Sequence, residues 1–262
     1  MGEKVRVKMN QPLSAEQVDF FRDNGYLVLR GVLDPELMAQ TRDAWWDAAP
    51  KELKRDDPNS WVGAFADSRF TWKYRDRSFE PWMVELLYGN PELQAVAKQL
   101  LGPELKVPER IRGIYCVFPD TDKQARKAHF HVDAHAFHLG VVGYVDDVPP
   151  DGGGFTVWPG SHKHFYRLFK TAYTFNPVHG KEEMWDSDES RRVQQIDPVH
   201  TFGSAGDVVL WHHRMGHGAG HNRSSQVRQA VLYDFCRADL DAVQDEPPPE
   251  DMWRDWPGIS GG

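Results

Sequence analysis

His129-Phe130-His131-Val132-Asp133-Ala134-His135 places four ionisable side chains on alternate residues. Successive side chains of a β-strand point to opposite faces, so this spacing predicts a strand with all four groups on one face. Ionisable groups gathered on one face are costly in a sealed core. They call for water, a metal ion, or both. A hydrogen-bonded stripe facing solvent is the plain structural alternative.

Spacing narrows the choice among metal sites. A zinc loop of the form H-x-H-x-D-H needs histidine directly after the aspartate, where Ala134 stands and His135 comes one residue late. Cupin-type sites follow H-x-H with a glutamate, and none lies between His135 and Asp146. The remaining pattern is H-x-D, which sets an imidazole beside a carboxylate. A hard carboxylate with borderline imidazoles on one side of an open octahedron suits iron(II). Such a site needs one more, distant histidine. The run Gly206-Asp207-Val-Val-Leu-Trp-His-His-Arg-Met-Gly-His217 predicts a strand ending at His217. A glycine-rich turn follows, Gly218 to Ser224, and then a second strand from near Arg228. A hairpin of that length would return Arg228 opposite the strand of His217. An arginine fork there could hold a dicarboxylate whose other end chelates the metal. Taken alone, Arg228 would read as a surface ion pair.

Working outward, short apolar or alternating runs sit between Gly, Pro and Asp clusters after Pro108. They are Ile111–Phe118, His129–Val145, Phe155–Trp158, Val193–Ile196, Asp207–His213 and Gln229–Phe235. Short, regularly punctuated strands predict a β-sandwich or barrel. The first hundred residues are helical in texture. Ser14 with Gln17 forms a capping box for a helix that stops near Asn24–Gly25, and Tyr26–Arg30 follows as a strand. Asp34-Pro35 and Asn90-Pro91 open two further helices, the second closed by Gly102. These helices should pack on the outside of one sheet. The stretch from His164 to Gln195 is long, aromatic and charged without a clear period, as a lid over a site would be.

The 262 residues carry 40% hydrophobic and 27% charged side chains and ten Trp, ample for a buried core. A formal net charge of -8 argues against nucleic acid as a partner. The basic residues at Arg191–Arg192 and Lys123–Lys127 are diluted by acidic neighbours. No apolar run approaches the ~20 residues of a membrane span, and the start of the chain has no signal-peptide core. Cys116 and Cys236 fit no zinc spacing and read as buried, reduced thiols. The expected location is the cytoplasm.

The ordered set is H-x-D, then Pro159-Gly160-Ser161-His162, Gly206-Asp207, His217-Gly-x-Gly-x-Asn222-x-Ser224 and Arg228. It resembles the phytanoyl-CoA dioxygenase family of iron(II)/2-oxoglutarate oxygenases. The opening Phe20-Phe21-x-x-Asn24-Gly25-Tyr26-Leu-Val-Leu is similar as well, so the likeness spans roughly residues 12–240. The resemblance implies a mainly-β α+β fold with a double-stranded β-helix (jelly-roll) core and helices on one sheet. All of 1–262 would form a single domain, with a helical part at about 12–105, the core at about 106–240 and a lid at about 164–195. It implies His131, Asp133 and His217 as iron ligands and Arg228 on the distal carboxylate of 2-oxoglutarate. Relatives often carry a hydroxyl residue where this chain has Ala219, and Thr156 is the candidate replacement.

The implied reaction consumes 2-oxoglutarate and O2, releases succinate and CO2, and hydroxylates a C–H bond. Because Asp133 retains the carboxylate, hydroxylation is expected rather than halogenation. Desaturation, ring closure and heteroatom–carbon cleavage share the same chemistry. Arg112, Tyr115, Trp158, Tyr166, Arg167 and Arg228 suggest a small polar or anionic substrate among aromatics. His129 and His135 are candidates to touch it or to support the ligands. His162, His212 and His213 read as structural, and Asn222 as a turn residue. The rival readings are a zinc hydrolase built on His129, His131, Asp133 and His135, and a jelly-roll binding protein without catalysis.

Overall fold

The computed structural model describes residues 13–62, 71–120 and 129–259; the basic Lys123–Lys127 stretch lies outside them. The first helix, α1 (Ala15–Asn24), begins where expected: the Ser14 side chain accepts from the Gln17 amide while the Gln17 side chain accepts from the Ser14 amide. It ends at Gly25, whose φ of 76° is left-handed. After β1 (Tyr26–Leu29), Asp34 caps α2 (Pro35–Ala48). Strand β2 (Thr71–Tyr74) and helix α3 (Pro81–Leu87) were not expected from the sequence. Asn90 caps α4 (Pro91–Leu101) by accepting from the Glu92 and Leu93 amides. Its buried Leu93, Val96, Ala97, Leu100 and Leu101 form one stripe, each large side chain contributing about 1.5–3 kcal/mol on burial.

The later elements are β3 (Gly113–Val117), β4 (Leu139–Tyr144), β5 (Phe155–Val157), α5 (Ser161–Tyr166), α6 (Lys181–Trp185), α7 (Asp188–Val193) and β6 (Val199–His200). Then come β7 (Val208–His212), β8 (His217–Ala219), β9 (Arg228–Phe235) and α8 (Leu240–Val243). The strands form two antiparallel sheets, one in the order β1-β7-β4-β9-β3-β2 and a smaller one in the order β6-β5-β8.

Alternation divides the large sheet cleanly. Leu27, Leu29, Ile114, Leu139, Val141, Val208, Leu210, Val231, Tyr233 and Phe235 join the helical residues Phe21, Trp45, Leu86 and Leu93 in one core. On the other face Val142, Tyr144, Val209, Trp211, Ala230 and Leu232 meet Phe155 and Val157 of the small sheet. The helices thus cover one face, as expected. Trp253, Trp256 and Ile259 of the C-terminal segment also join the first core. Among the described residues no helix is long and apolar enough to cross a membrane. Cys116 and Cys236 are both free, the first buried and the second partly so.

Three expected strands are corrected. Residues 129–138 are not a strand: His131 alone bridges to His217, and β4 starts only at Leu139. An unbroken strand there would hold its polar stripe against the apolar inter-sheet core, and the chain bends instead. Val193–Ile196 is not a strand either. Val193 ends α7, which Ser187 caps and which the pairs Arg191–Asp188 and Arg192–Glu189 reinforce. Asp207–His217 is two strands: β7 stops at His212, and β8 begins at His217 in the other sheet. Residues 164–195 are helical in part, and α5–α7 rest on a small core of Val132, Trp158, Phe165, Phe169, Met184 and Val193.

Candidate metal centre

His217 leads β8, whose neighbour β5 pairs Val157 with it. The amide of His131 donates to the His217 carbonyl (2.9 Å), and the His217 amide returns a bond to the His131 carbonyl (3.0 Å). This two-way bridge brings the imidazole rings to 4.4 Å between centroids. Asp133, two residues on, reaches the same point. Its Oδ1 lies 3.9 Å from His131 Nε2 and its Oδ2 3.5 Å from His217 Nε2. One ligand atom from each of the three falls within 4.8 Å of the others, and among the described residues no other His, Cys, Asp and Glu group does so.

The surroundings prepare these atoms as donors. The Nδ1–H of His217 donates to the Met215 carbonyl at 2.9 Å, which leaves the Nε2 lone pair directed at Asp133 and His131. Burial against Phe155 and Trp211 lowers the His217 pKa. Burial and the charge of His217 push His131 down to about 4. For Asp133, burial acts upward, but the charges of His217 and Arg112 and the Arg112 hydrogen bond outweigh it, holding the carboxyl well below the usual range. These directions favour neutral imidazoles beside an ionised carboxylate, the protonation states a divalent cation requires.

Arg112 is the hub of this arrangement. Its Nη2 donates to Asp133 Oδ2 (2.9 Å) and Asp234 Oδ1 (2.7 Å), and its Nε donates to Asp234 Oδ2 (2.5 Å). The guanidinium lies 5.1 Å from the Phe137 ring centre. His135 turns away from the ligand group, with Nε2 2.8 Å from both Asp234 Oδ2 and Arg112 Nη2. His129 lies outside the cavity wall, so the four residues of the zinc-hydrolase reading are not brought together.

A cavity of about 1440 Å³ opens over the centre, lined by His131, Asp133, His217, Arg112, Tyr115, Arg228 and, from the 164–195 segment, Phe175, Lys181 and Trp185. Arg228 reaches it from β9 in the facing sheet, not from a hairpin with β8, because β8 pairs only with β5. Its Nε donates to the Gly153 carbonyl (2.8 Å) and its Nη1 to the Tyr115 carbonyl (3.3 Å). The guanidinium is buried, which lowers its pKa, and no carboxylate among the described residues pairs with it. A buried cation that borders a cavity without a carboxylate partner has donors suited to an anion.

Other candidates sit elsewhere. Thr156 is on the far face of β5 from Phe155 and Val157, with its hydroxyl 2.8 Å from His200 Nδ1, and does not line the cavity. Trp158 is buried against Phe130, Tyr166 donates to the Pro249 carbonyl, and Arg167 is exposed away from the cavity. Asn222 does pin its turn, donating to the Val117 and Gln226 carbonyls. The sequence reading missed Asp234, Lys73 and Arg75. Asp234 was detectable as the lone acid in the apolar run Ala230–Phe235.

The family model described as Phytanoyl-CoA dioxygenase (PhyH) matches residues 21–230. The peroxisomal phytanoyl-CoA dioxygenase of Rattus norvegicus is 23% identical over 249 residues, covering 88% of this chain and 70% of its own. The ectoine dioxygenase of Stutzerimonas stutzeri (strain A1501) is 25% identical over 260 residues, covering 90% and 80%. Two solved structures share the fold. The non-heme alpha-ketoglutarate-dependent carbocyclase SnoK from nogalamycin biosynthesis superposes with a TM-score of 0.61 at 22% identity, covering 92% of this chain and 95% of that one. EctD from S. alaskensis with bound Fe gives 0.57 at 22%, covering 91% and 81%.

Proposed function

Because the chain belongs to the phytanoyl-CoA dioxygenase family, we propose that it is an iron(II)- and 2-oxoglutarate-dependent dioxygenase hydroxylating a small polar or anionic molecule. His131, Asp133 and His217 are the iron ligands on this reading, and Arg228 holds the distal carboxylate of 2-oxoglutarate. The two antiparallel sheets are the walls of a double-stranded β-helix within a single domain, and residues 164–195 form its lid. The observation that carries the proposal is the convergence of three donors within 4.8 Å at a cavity that also exposes the buried Arg228.

Iron supplies O2 activation coupled to oxidative decarboxylation of the co-substrate, with the overall balance R–H + 2-oxoglutarate + O2 → R–OH + succinate + CO2. The chain's own residues do the rest. His217 is oriented through its Nδ1–H bond to the Met215 carbonyl, and the backbone bridge holds His131 beside it. Arg112 keeps the Asp133 carboxylate ionised and anchored. Arg228 offers a bidentate fork to the carboxylate end of the co-substrate and so orients its oxo-acid end toward the three ligands. Trp185 and Phe175 add apolar surface to the cavity lining beside the reacting centre. Hydroxylation is favoured over halogenation because Asp133 occupies the carboxylate position.

The test is anaerobic titration of iron(II) and 2-oxoglutarate into the protein. A weak visible absorption band is expected, with slow succinate release once air is admitted and with the band lost in His217→Ala. The band persisting in that variant would remove His217 from the site. Activity supported by zinc alone would favour the hydrolase, and neither band nor turnover would favour a binding protein.

A further inference from the structure

The charge balance around the cavity runs against that of the whole chain. Formal net charge is -8 overall. Of the acidic residues that line the cavity, Asp133 and Asp234 are taken up by Arg112, and Asp241 by Lys106. That leaves Glu109 beside five cations with no carboxylate partner among the described residues: Arg228, already described, and Lys73, Arg75, Arg110 and Lys181. An acidic protein with a cationic cavity has local electrostatics suited to drawing in an anion.

Two of these cations are held in place. Strand β2 is the edge of the large sheet, and its Lys73 stands directly across from Tyr115 of β3. The Lys73 ammonium lies 5.0 Å from the Tyr115 ring centre and the Arg75 guanidinium 5.9 Å. Arg75 Nη2 also donates to the Tyr115 hydroxyl at 2.9 Å, which occupies one of its five donors. Strand register places both cations on the face of Tyr115, Lys73 directly opposite it and Arg75 two residues further on. Here they flank Tyr115, whose own carbonyl accepts from Arg228, so this ledge adjoins the proposed co-substrate site while remaining distinct from it. The same cavity is also lined by the apolar Val107, Phe175 and Trp185.

We infer that Lys73 and Arg75, mounted on Tyr115, form the recognition site for a substrate oxyanion, a carboxylate or phosphate, on a molecule with an apolar body. This deepens the proposed function and rests on it for the reaction, although not for the anion binding. The oxyanion accepts from the Lys73 ammonium and the free Arg75 donors, the body lies along Val107, Phe175 and Trp185, and the C–H bond to be hydroxylated faces His131 and His217.

The test uses the protein loaded with iron(II) and 2-oxoglutarate. Six- to twelve-carbon monocarboxylates and monophosphates are offered beside their methyl esters and parent alcohols, with substrate-stimulated succinate and product read by mass spectrometry. At least one charged series should act at a concentration about tenfold or more below its neutral counterparts. Lys73→Glu with Arg75→Glu should raise its half-saturating concentration about a hundredfold, and Lys73→Arg should stay within about threefold. Better action by phosphates or by carboxylates identifies the oxyanion and supports the inference in either case. Neutral compounds matching the acids, or half-saturation unmoved by the double reversal in a variant with wild-type circular dichroism, would overturn it. A second measurement separates the two ideas. Inorganic phosphate binding, followed by 31P line width on the zinc-loaded protein with 2-oxoglutarate, should be lost in the double variant. Phosphate bound at this ledge by a protein without the iron absorption band would sink the oxygenase and leave the anion site standing.

Discussion

Acid should unfold this protein through its buried histidines, and His138 allows the effect to be isolated. His138, His162, His212 and His213 form a cluster of ring contacts with Tyr173 and Trp256. Each is essentially inaccessible to solvent. Burial, the largest cause in every case, lowers all four pKa values, His138 and His162 to about 3 and the other two well below the ordinary value. An unfolded histidine titrates near 6.5. Between about 3 and 6.5 the unfolded chain therefore binds protons that the folded chain does not. The stabilisation is complete above 6.5 and is lost as pH falls toward 3. Each pH unit in that window costs about 1.36 kcal/mol per histidine, so a drop from 6.5 to 5 removes about 2 kcal/mol for His138 and about 4 for His138 with His162. That is comparable with the whole stability of an ordinary domain, about 5–15 kcal/mol. The perturbed carboxyls of Asp239 and Asp255 are shifted downward, so their losses fall at lower pH. His138→Phe keeps a ring against Tyr173 and gives up only a 3.4 Å bond from the Arg237 amide. Urea unfolding at pH 7.5, 6, 5.5 and 5 should show stability falling steeply in the wild type. The slope in the variant should be shallower by about 1.4 kcal/mol per pH unit below 6.5. Equal slopes would refute the reasoning, whatever the variant does to stability at pH 7.5.

Arg228→Gln should weaken 2-oxoglutarate binding about a hundredfold, the loss of a charged bidentate partner, as read by titration of the iron absorption band. Gly25→Ala should cost about 2–4 kcal/mol in urea unfolding, because φ is 76° and a Cβ there would lie 2.4 Å from His162 Nδ1. Chelator treatment should lower the midpoint of thermal unfolding by about 5–10 °C relative to protein at a hundredfold excess of metal over Kd. Readdition of a divalent metal should restore it, and His217→Ala should show no difference between the two conditions.

The local signals in the sequence translated well where one residue type had one physical use. Ser14 with Gln17, Asp34-Pro35 and Asn90-Pro91 started helices at those residues, since a cap satisfies amides that no other nearby group can reach. Chemistry was also legible at His131, Asp133 and His217, which the fold brings together. Conformation was less so. Alternation alone predicted one strand for 129–145 and another for 207–217, yet each changes course where it meets the gap between the sheets. His212 and His217 lie in different sheets because residues 213–216 turn, with the Met215 amide closing on the His212 carbonyl at 2.8 Å. Nothing in the spacing of Asp207–His217 marks that turn except Gly216.

Thr156 and Arg112 show why residue type flags a need without naming the partner. Thr156 is the candidate for a co-substrate hydroxyl that Ala219 lacks, but strand alternation turns its side chain to His200. Arg112 reads in the sequence as a candidate to hold an anionic substrate, and Asp234 carries no reading there at all. They are 122 positions apart, and they meet because the Arg112 amide joins the Leu232 carbonyl where β3 runs antiparallel to β9. That register also carries Arg112 to Asp133, and through it the large sheet fixes a ligand of a centre whose histidines are joined along the small one. The centre therefore depends on both sheets at once. Arg112→Gln should accordingly lower metal affinity by about tenfold or more in a chelator competition, while leaving the His131–His217 bridge in place. Unchanged affinity would mean that the hub stabilises the fold and does nothing for the ligand.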